Sequence, residues 1–199
     1  MIENKMFCFQ CQETAKGTGC TIKGVCGKEA ETSKWQDLLL SVVRGVGTIQ
    51  HELGETASNE VADFLIDAMF STITNANFDD QSILNKVDTG IALKKQLLEK
   101  ASTKNIILPD YQEVCWGGEK SDYSAEGERE GVLRNENADL RSLKELTILG
   151  LKGIAAYYDH AGRLGNTSEE IITFICKALA VISNPNADME TLLGIVLET

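Results

Sequence analysis

An all-α fold, six helices in two sets of three behind an N-terminal cysteine-rich loop, is what the sequence predicts. Three observations carry it. Apolar residues recur at steps of three and four in six segments, five of them opened by a capping residue type; no run alternates long enough to be a strand; and a stretch without periodicity, residues 104–135, divides the helices into halves. The composition agrees: 43% hydrophobic, 25% charged and only two prolines among 199 residues describe a globular, largely helical chain with a core of its own.

Residues 1–32 form the loop and contain Cys8, Cys11, Cys20 and Cys26. Ser33, with Gln36 three positions on, reads as a capping box, and Trp35, Leu38, Leu39, Val42, Val43, Val46, Ile49 and Leu53 then lay one apolar stripe along a helix of about six turns. Asn59 is placed to cap a second helix carrying Leu65, Ala68, Met69 and Ile73, which the short polar side chains of "TNANFDD" stop. Asp80 is placed to cap a third through Ile83, Leu84, Val87, Ile91, Leu97 and Leu98, so that residues 33–103 make a first bundle. The segment 104–135, with "CWGGEKSDYSAEGEREG", is rich in Gly, Ser and charge and reads as a long connection.

Residues 136–199 make the second bundle. Its first helix runs from about Glu136 to Leu164. The next starts at Ser168, with Glu169 and Glu170 in the positive first turn of the helix dipole, and "SNPNAD" ends it. Asp188 caps the last, which carries Leu192, Leu193 and Val196 and reaches Thr199 without Gly, Asn or a basic last turn, the pattern of a helix cut short.

The net charge of −11 disfavours nucleic acid as a partner, because phosphate binding depends on clustered Lys and Arg. No segment approaches the roughly 20 consecutive apolar residues that span a bilayer. The polar start, Met1–Met6, lacks an apolar signal core, so the expected location is the cytoplasm, where thiols stay reduced.

The chemistry is concentrated in the cysteines. The spacing C-x2-C-x8-C-x5-C gathers four soft thiolates in one short loop, which suits either a tetrahedral zinc or the irons of a cubane cluster. Structural zinc sites pair two tight C-x(2 to 4)-C knuckles, whereas here the second pair is five residues apart, so iron–sulfur is favoured; a zinc-stabilised helical interaction domain, and disulfides or free thiols, remain alternatives. Gly17, Gly19, Gly24 and Gly27 let backbone N–H groups approach sulfur, and Lys16, Lys23 and Lys28 can offset a negative cluster from its rim. Cys176 lies on the apolar face of the fifth helix and reads as core, and Cys115 as a loop thiol. His51 and His160 have no ligand partner at suitable spacing, and Glu13, Glu29 and Glu31 read as solvated or dipole-complementing carboxylates. No nucleophile elbow, phosphate loop or dinucleotide fingerprint is present.

"MFCFQCQETAKGTGC", "GVCGKEAETSKWQDLLL", "FSTITNANFD" and "LGLKGIAAYYDHAGRLG" resemble blocks of the amino-terminal domain of the hybrid cluster, or prismane, family of hydroxylamine reductases. The resemblance covers essentially the whole chain. It implies two three-helix bundles preceded by a cluster-binding loop, with Cys8, Cys11, Cys20 and Cys26 as ligands of a [4Fe–4S] cluster; one subgroup of the family has another spacing and a [2Fe–2S] cluster. It implies that the parent enzyme reduces hydroxylamine to ammonia and water, with nitric oxide reduction also proposed for the family. Family members are more than twice as long. Their hybrid iron–sulfur–oxygen cluster is held by His, Glu and Cys of later domains, so no catalytic residue is assigned here. The expected role is electron transfer, with a redox donor and the remaining domains as partners, and the fragment alone is expected to be inactive.

Overall fold

The structure is a computed structural model and describes residues 5–199, so the first four residues of the polar start Met1–Met6 lie outside it. Among the described residues it is all-α, with eight α-helices and no strand. They are α1 Ala30–Leu53, α2 Asn59–Ser71, α3 Asp80–Thr103, α4 Gln112–Cys115, α5 Tyr123–Arg129, α6 Ala138–Arg163, α7 Glu169–Ser183 and α8 Met189–Glu198. The six long ones are the six helices read from the sequence.

The helix starts are capped as the side chains dictate, with three shifts. Ser168 and Asp188 accept from the N–H groups of Ile171 and Thr191 at 3.4 and 2.8 Å, as expected. The caps of α2 and α3 are Ser58 and Asp79, each one residue ahead of the expected Asn59 and Asp80, and they accept from Val61 and Ser82 at 3.3 and 3.0 Å. In both cases two adjacent residues can cap, and the chain uses the one in extended conformation. The start of α1 departs more. It begins at Ala30, three residues before the expected capping box, and both Ser33 and Gln36 are buried within it. The Gln36 amide is engaged elsewhere, accepting from Lys28 and donating to the Asn77 carbonyl, which removes it from any cap.

Helix α1 is the centre of the molecule and packs against α2, α3, α4, α5 and α7, while α6 packs against α2, α7 and α8. One continuous apolar core therefore runs through both sets, from Leu38 and Val42 in α1 to Leu179 in α7 and Leu192 in α8. Two helical glycines are explained by this crowding. A Cβ at Gly45 would overlap the Glu113 carbonyl oxygen, and one at Gly47 would overlap the Leu179 side chain.

The connection 104–135 is more ordered than its sequence suggests. It holds α4, α5 and two 3-10 turns, Lys120–Asp122 and Val132–Arg134. Arg44 of α1 pins it from inside: its Nε donates to Glu113 Oε1 at 3.0 Å, and it also pairs with Glu130. Arg134 closes the network on both carboxylates, at 2.7 and 2.5 Å. Burial pushes the Glu113 carboxyl up, but the Arg44 and Arg134 guanidiniums outweigh it and hold the group down to about 2. Lys94 of α3 adds a bond to the Glu113 carbonyl at 3.0 Å. Short helices held by ions leave no apolar period, which is why the sequence reads as a loop there.

Among the described residues no helix is long and apolar enough to cross a membrane.

Candidate metal centre

The cysteine loop folds on an isolated antiparallel bridge. Cys8 N–H donates to the Cys20 carbonyl at 3.1 Å, and Cys20 N–H donates back to the Cys8 carbonyl at 2.8 Å. Between them the chain turns through Cys11, whose carbonyl accepts from Thr14 N–H at 3.3 Å, and through a 3-10 turn at Ala15–Gly17. Gly19 returns it to the bridge. Its φ is +158°, and a Cβ there would lie 2.7 Å from the Phe7 ring, so the close pass of the two segments needs glycine. A second turn carries Cys26: Gly24 N–H donates to the Lys28 carbonyl at 2.8 Å, and Gly27 N–H to the Gly24 carbonyl at 2.9 Å.

All six cysteines are free thiols. Within the loop Cys20 is buried, Cys8 and Cys11 are half-buried, and Cys26 is exposed. Positive groups and N–H donors point at sulfur. Ala15 N–H lies 3.5 Å from Cys20 Sγ, the Thr14 hydroxyl lies 3.7 Å from the same atom, and Lys28 Nζ lies 3.6 Å from Cys8 Sγ. Burial pushes the Cys20 thiol up, but the N–H groups of Ala15 and Val25, the Thr14 hydroxyl and the Lys28 ammonium outweigh it and bring its pKa below the ordinary thiol value. That favours the thiolate, the form that ligates metal. Among the described residues no group of three or more His, Cys, Asp or Glu is placed to hold a single metal ion.

Lys28 does not sit on the rim, as its place in the loop suggests. It is only 3% exposed, and its ammonium is fixed between Cys8 Sγ and Gln36 Oε1, the latter at 2.7 Å. Gln36 in turn donates to the Asn77 carbonyl at 3.0 Å, which ties the loop through α1 to the turn between α2 and α3. Lys16 and Lys23 are exposed, as expected, and Lys23 pairs with Glu29.

A second buried lysine reaches the loop from α6. Lys152 Nζ donates to Gln10 Oε1 at 3.0 Å and to the Thr72 carbonyl at 3.1 Å, and burial brings its pKa down to about 8. Behind Cys8 lies a cavity of about 30 Å³, room for roughly one water. Lys28, Asp37, Arg44, Glu145 and Lys152 line it. Burial raises the Asp37 carboxyl to about 7 and raises Glu145 as well, with the neighbouring cations limiting both. Lys152, Gln36 and Gln10 carry no motif. A lysine following Leu151 in the apolar stripe of α6 was the one available signal.

The other sequence candidates stand apart from this arrangement. Cys176 is buried in the core, and burial pushes its thiol up to about 12. Cys115, at the end of α4, donates to Asp110 Oδ1 at 3.1 Å, and that bond raises its pKa. His51 is exposed in the last turn of α1, and the ring of His160 meets Phe70 edge-on at 6.0 Å. Glu13 is exposed, and Glu31 pairs with Lys34 at 2.9 Å.

The chain is similar to curated hydroxylamine reductases. It is 47% identical to that of Bacteroides thetaiotaomicron over 196 residues, covering 98% of this chain and 35% of the relative. It is 44% identical to that of Porphyromonas gingivalis, covering 100% of this chain and 37% of the relative. Against Desulfitobacterium hafniense the identity is 43%, with 97% and 36% covered. This chain thus spans little more than a third of the length of these relatives. The profile of the Prismane/CO dehydrogenase family matches residues 6–199, so nearly the whole chain is accounted for, and the protein belongs to that family.

Proposed function

We propose that this chain is the electron-transfer part of a hydroxylamine reductase and that Cys8, Cys11, Cys20 and Cys26 hold a [4Fe–4S] cluster. The observation that carries it is the loop itself: free thiols with a backbone N–H, a hydroxyl and a buried ammonium directed at their sulfurs. Such donors neutralise part of the negative charge of a thiolate-ligated cluster and raise its reduction potential. The relatives' name and the iron–sulfur clusters bound by proteins of this family support the same reading.

When bound, the cluster supplies a one-electron redox couple. The residues of this chain do the rest. The Cys8–Cys20 bridge sets two ligands side by side, Gly19 leaves room for the Phe7 ring beside that bridge, and Lys28 holds a fixed positive charge at Cys8. Hydroxylamine reduction to ammonia and water takes two electrons and a substrate site. We assign that step to the part of the relatives that this chain does not span.

Anaerobic reconstitution tests the reading. The protein should take up iron and sulfide in equal amounts, turn brown and give an electron paramagnetic resonance signal on reduction. Cys20→Ser should strip or convert the cluster, and Cys176→Ser should leave it. A colourless protein that binds one zinc would establish the alternative, a zinc-stabilised helical domain; full cluster occupancy in Cys20→Ser would remove the ligand assignment.

A further inference from the structure

Charged side chains from the loop, α1, α6 and the connection meet at the cavity behind Cys8. Its cations are committed to other acceptors: Lys28 to Gln36, Arg44 to Glu113 and Glu130, and Lys152 to Gln10 and the Thr72 carbonyl. Glu130 is paired with Arg44, Arg129 and Arg134. Two carboxyls are left. Asp37 of α1 and Glu145 of α6 line the cavity, and neither makes a side-chain hydrogen bond or ion pair among the described residues. Asp37 also lines an outer groove of about 720 Å³, which lies between the loop, the start of α1 and residues 127–134. Among the described residues it is the one titratable group that borders both spaces. A Cβ on Gly131, in the groove wall, would lie 3.5 Å from Asp37 Oδ2. The charges on the groove side are Lys5, Glu31, Lys34, Glu128, Arg129 and Arg134. Burial raises the Asp37 carboxyl to about 7; the facing Glu145 adds to that, while Lys28, Lys152 and Arg44 oppose it.

We propose that Asp37 is a proton-binding site coupled to the loop cluster, taking up one proton from the groove when the cluster gains one electron. This rests on the cluster reading above. One electron passes from a one-electron donor to the oxidised cluster, and one proton passes from the solvent to the Asp37 carboxylate, where an O–H bond forms; no bond of the protein breaks. The coupling is electrostatic. Cys8 and Asp37 border the same cavity, so negative charge added at the cluster favours the protonated carboxyl, and a neutral Asp37 favours the added electron by the same amount. The potential therefore falls as pH rises wherever Asp37 is ionised in the oxidised protein and protonated in the reduced one, and is flat where both forms agree.

The test is an anaerobic titration of the cluster-loaded protein with dithionite, followed by electron paramagnetic resonance. Between about pH 6 and about pH 9 the midpoint potential should fall by at least about 59 mV, a tenfold change in the ratio of reduced to oxidised cluster at a fixed potential. Asp37→Asn should lose this fall. Its infrared difference spectrum on reduction should also lack the carboxyl C=O band that the parent gains. Glu145→Gln should keep the fall but begin it at lower pH, because a negative charge facing Asp37 is gone. A parent potential that does not move with pH overturns the proposal whatever the variants do. A fall retained in Asp37→Asn, with the cluster spectrum intact, overturns it too, and loss of that fall in Lys152→Met would place the proton on Lys152. A protein that takes up no cluster overturns the reading beneath the proposal as well, and is recognised by the missing chromophore.

Discussion

Replacing Lys28 with Met removes a buried positive charge while keeping much of the apolar stem. The ammonium lies 3.6 Å from Cys8 Sγ, and an electron added to a cluster there would be spread over its irons, about 6 Å from the charge. At an effective dielectric near 20, 332/(20 × 6) is about 3 kcal/mol of attraction lost by the reduced state. Since about 1.4 kcal/mol is a factor of ten, and a factor of ten is about 59 mV for one electron, the potential should fall by roughly 100 mV. Solvent at the exposed Cys26 side makes this an upper figure. The sign is firm, because removal of a cation disfavours gain of an electron. The variant also leaves Gln36 Oε1 without its Lys28 donor, at a cost of about 1–3 kcal/mol, small enough for the helices to persist. An anaerobic redox titration followed by electron paramagnetic resonance measures the shift. A potential unmoved, or raised, in a variant with an unchanged spectrum would refute the electrostatic role given to Lys28.

Three further outcomes follow from the same geometry. The Glu113 carboxyl is held down to about 2 from an ordinary 4.5, so its contribution is fully present above the unfolded value and is lost as pH falls from about 4.5 toward 2; the loss is about 3 kcal/mol, read in urea unfolding, and it should be absent in Glu113→Gln. Gly45→Ala should destabilise by about 1–3 kcal/mol although alanine is the better helix former, because the new methyl meets the Glu113 carbonyl; an increase in the urea midpoint would contradict the packing described for α1. Stripping the proposed cluster should disorder or rearrange the loop before about residue 30 and spare the helices, which supply almost all of the apolar core; global loss of far-ultraviolet circular dichroism on chelation would show that the core depends on the loop.

Six helices could be read before any coordinates, since each buries a stripe that repeats with the helical period and most open on a side chain able to cap the first turn. Ser168 and Asp188 are the clear cases, each capping its helix at the position read from the sequence. The α1 start shows the limit. Ser33 and Gln36 have the spacing of a capping box, but a glutamine can serve a distant partner as well as a local one, and only the fold brings Lys28 and Asn77 within its reach.

The ligand candidates were legible for the same local reason: four thiols within nineteen residues need no tertiary information to be noticed, and their spacing and glycines point to iron–sulfur chemistry. The sequence alone determined the helices and the cysteine loop, because each depends on neighbours along the chain. The tertiary structure decided which charges are buried. Lys28 and Lys152 leave the surface to meet Cys8 and Gln10, and Arg44 leaves it to hold Glu113 and Glu130, through contacts between residues 20, 142, 69 and 86 positions apart. A buried ion depends for its stability on partners that only folding supplies, so no local pattern announces it.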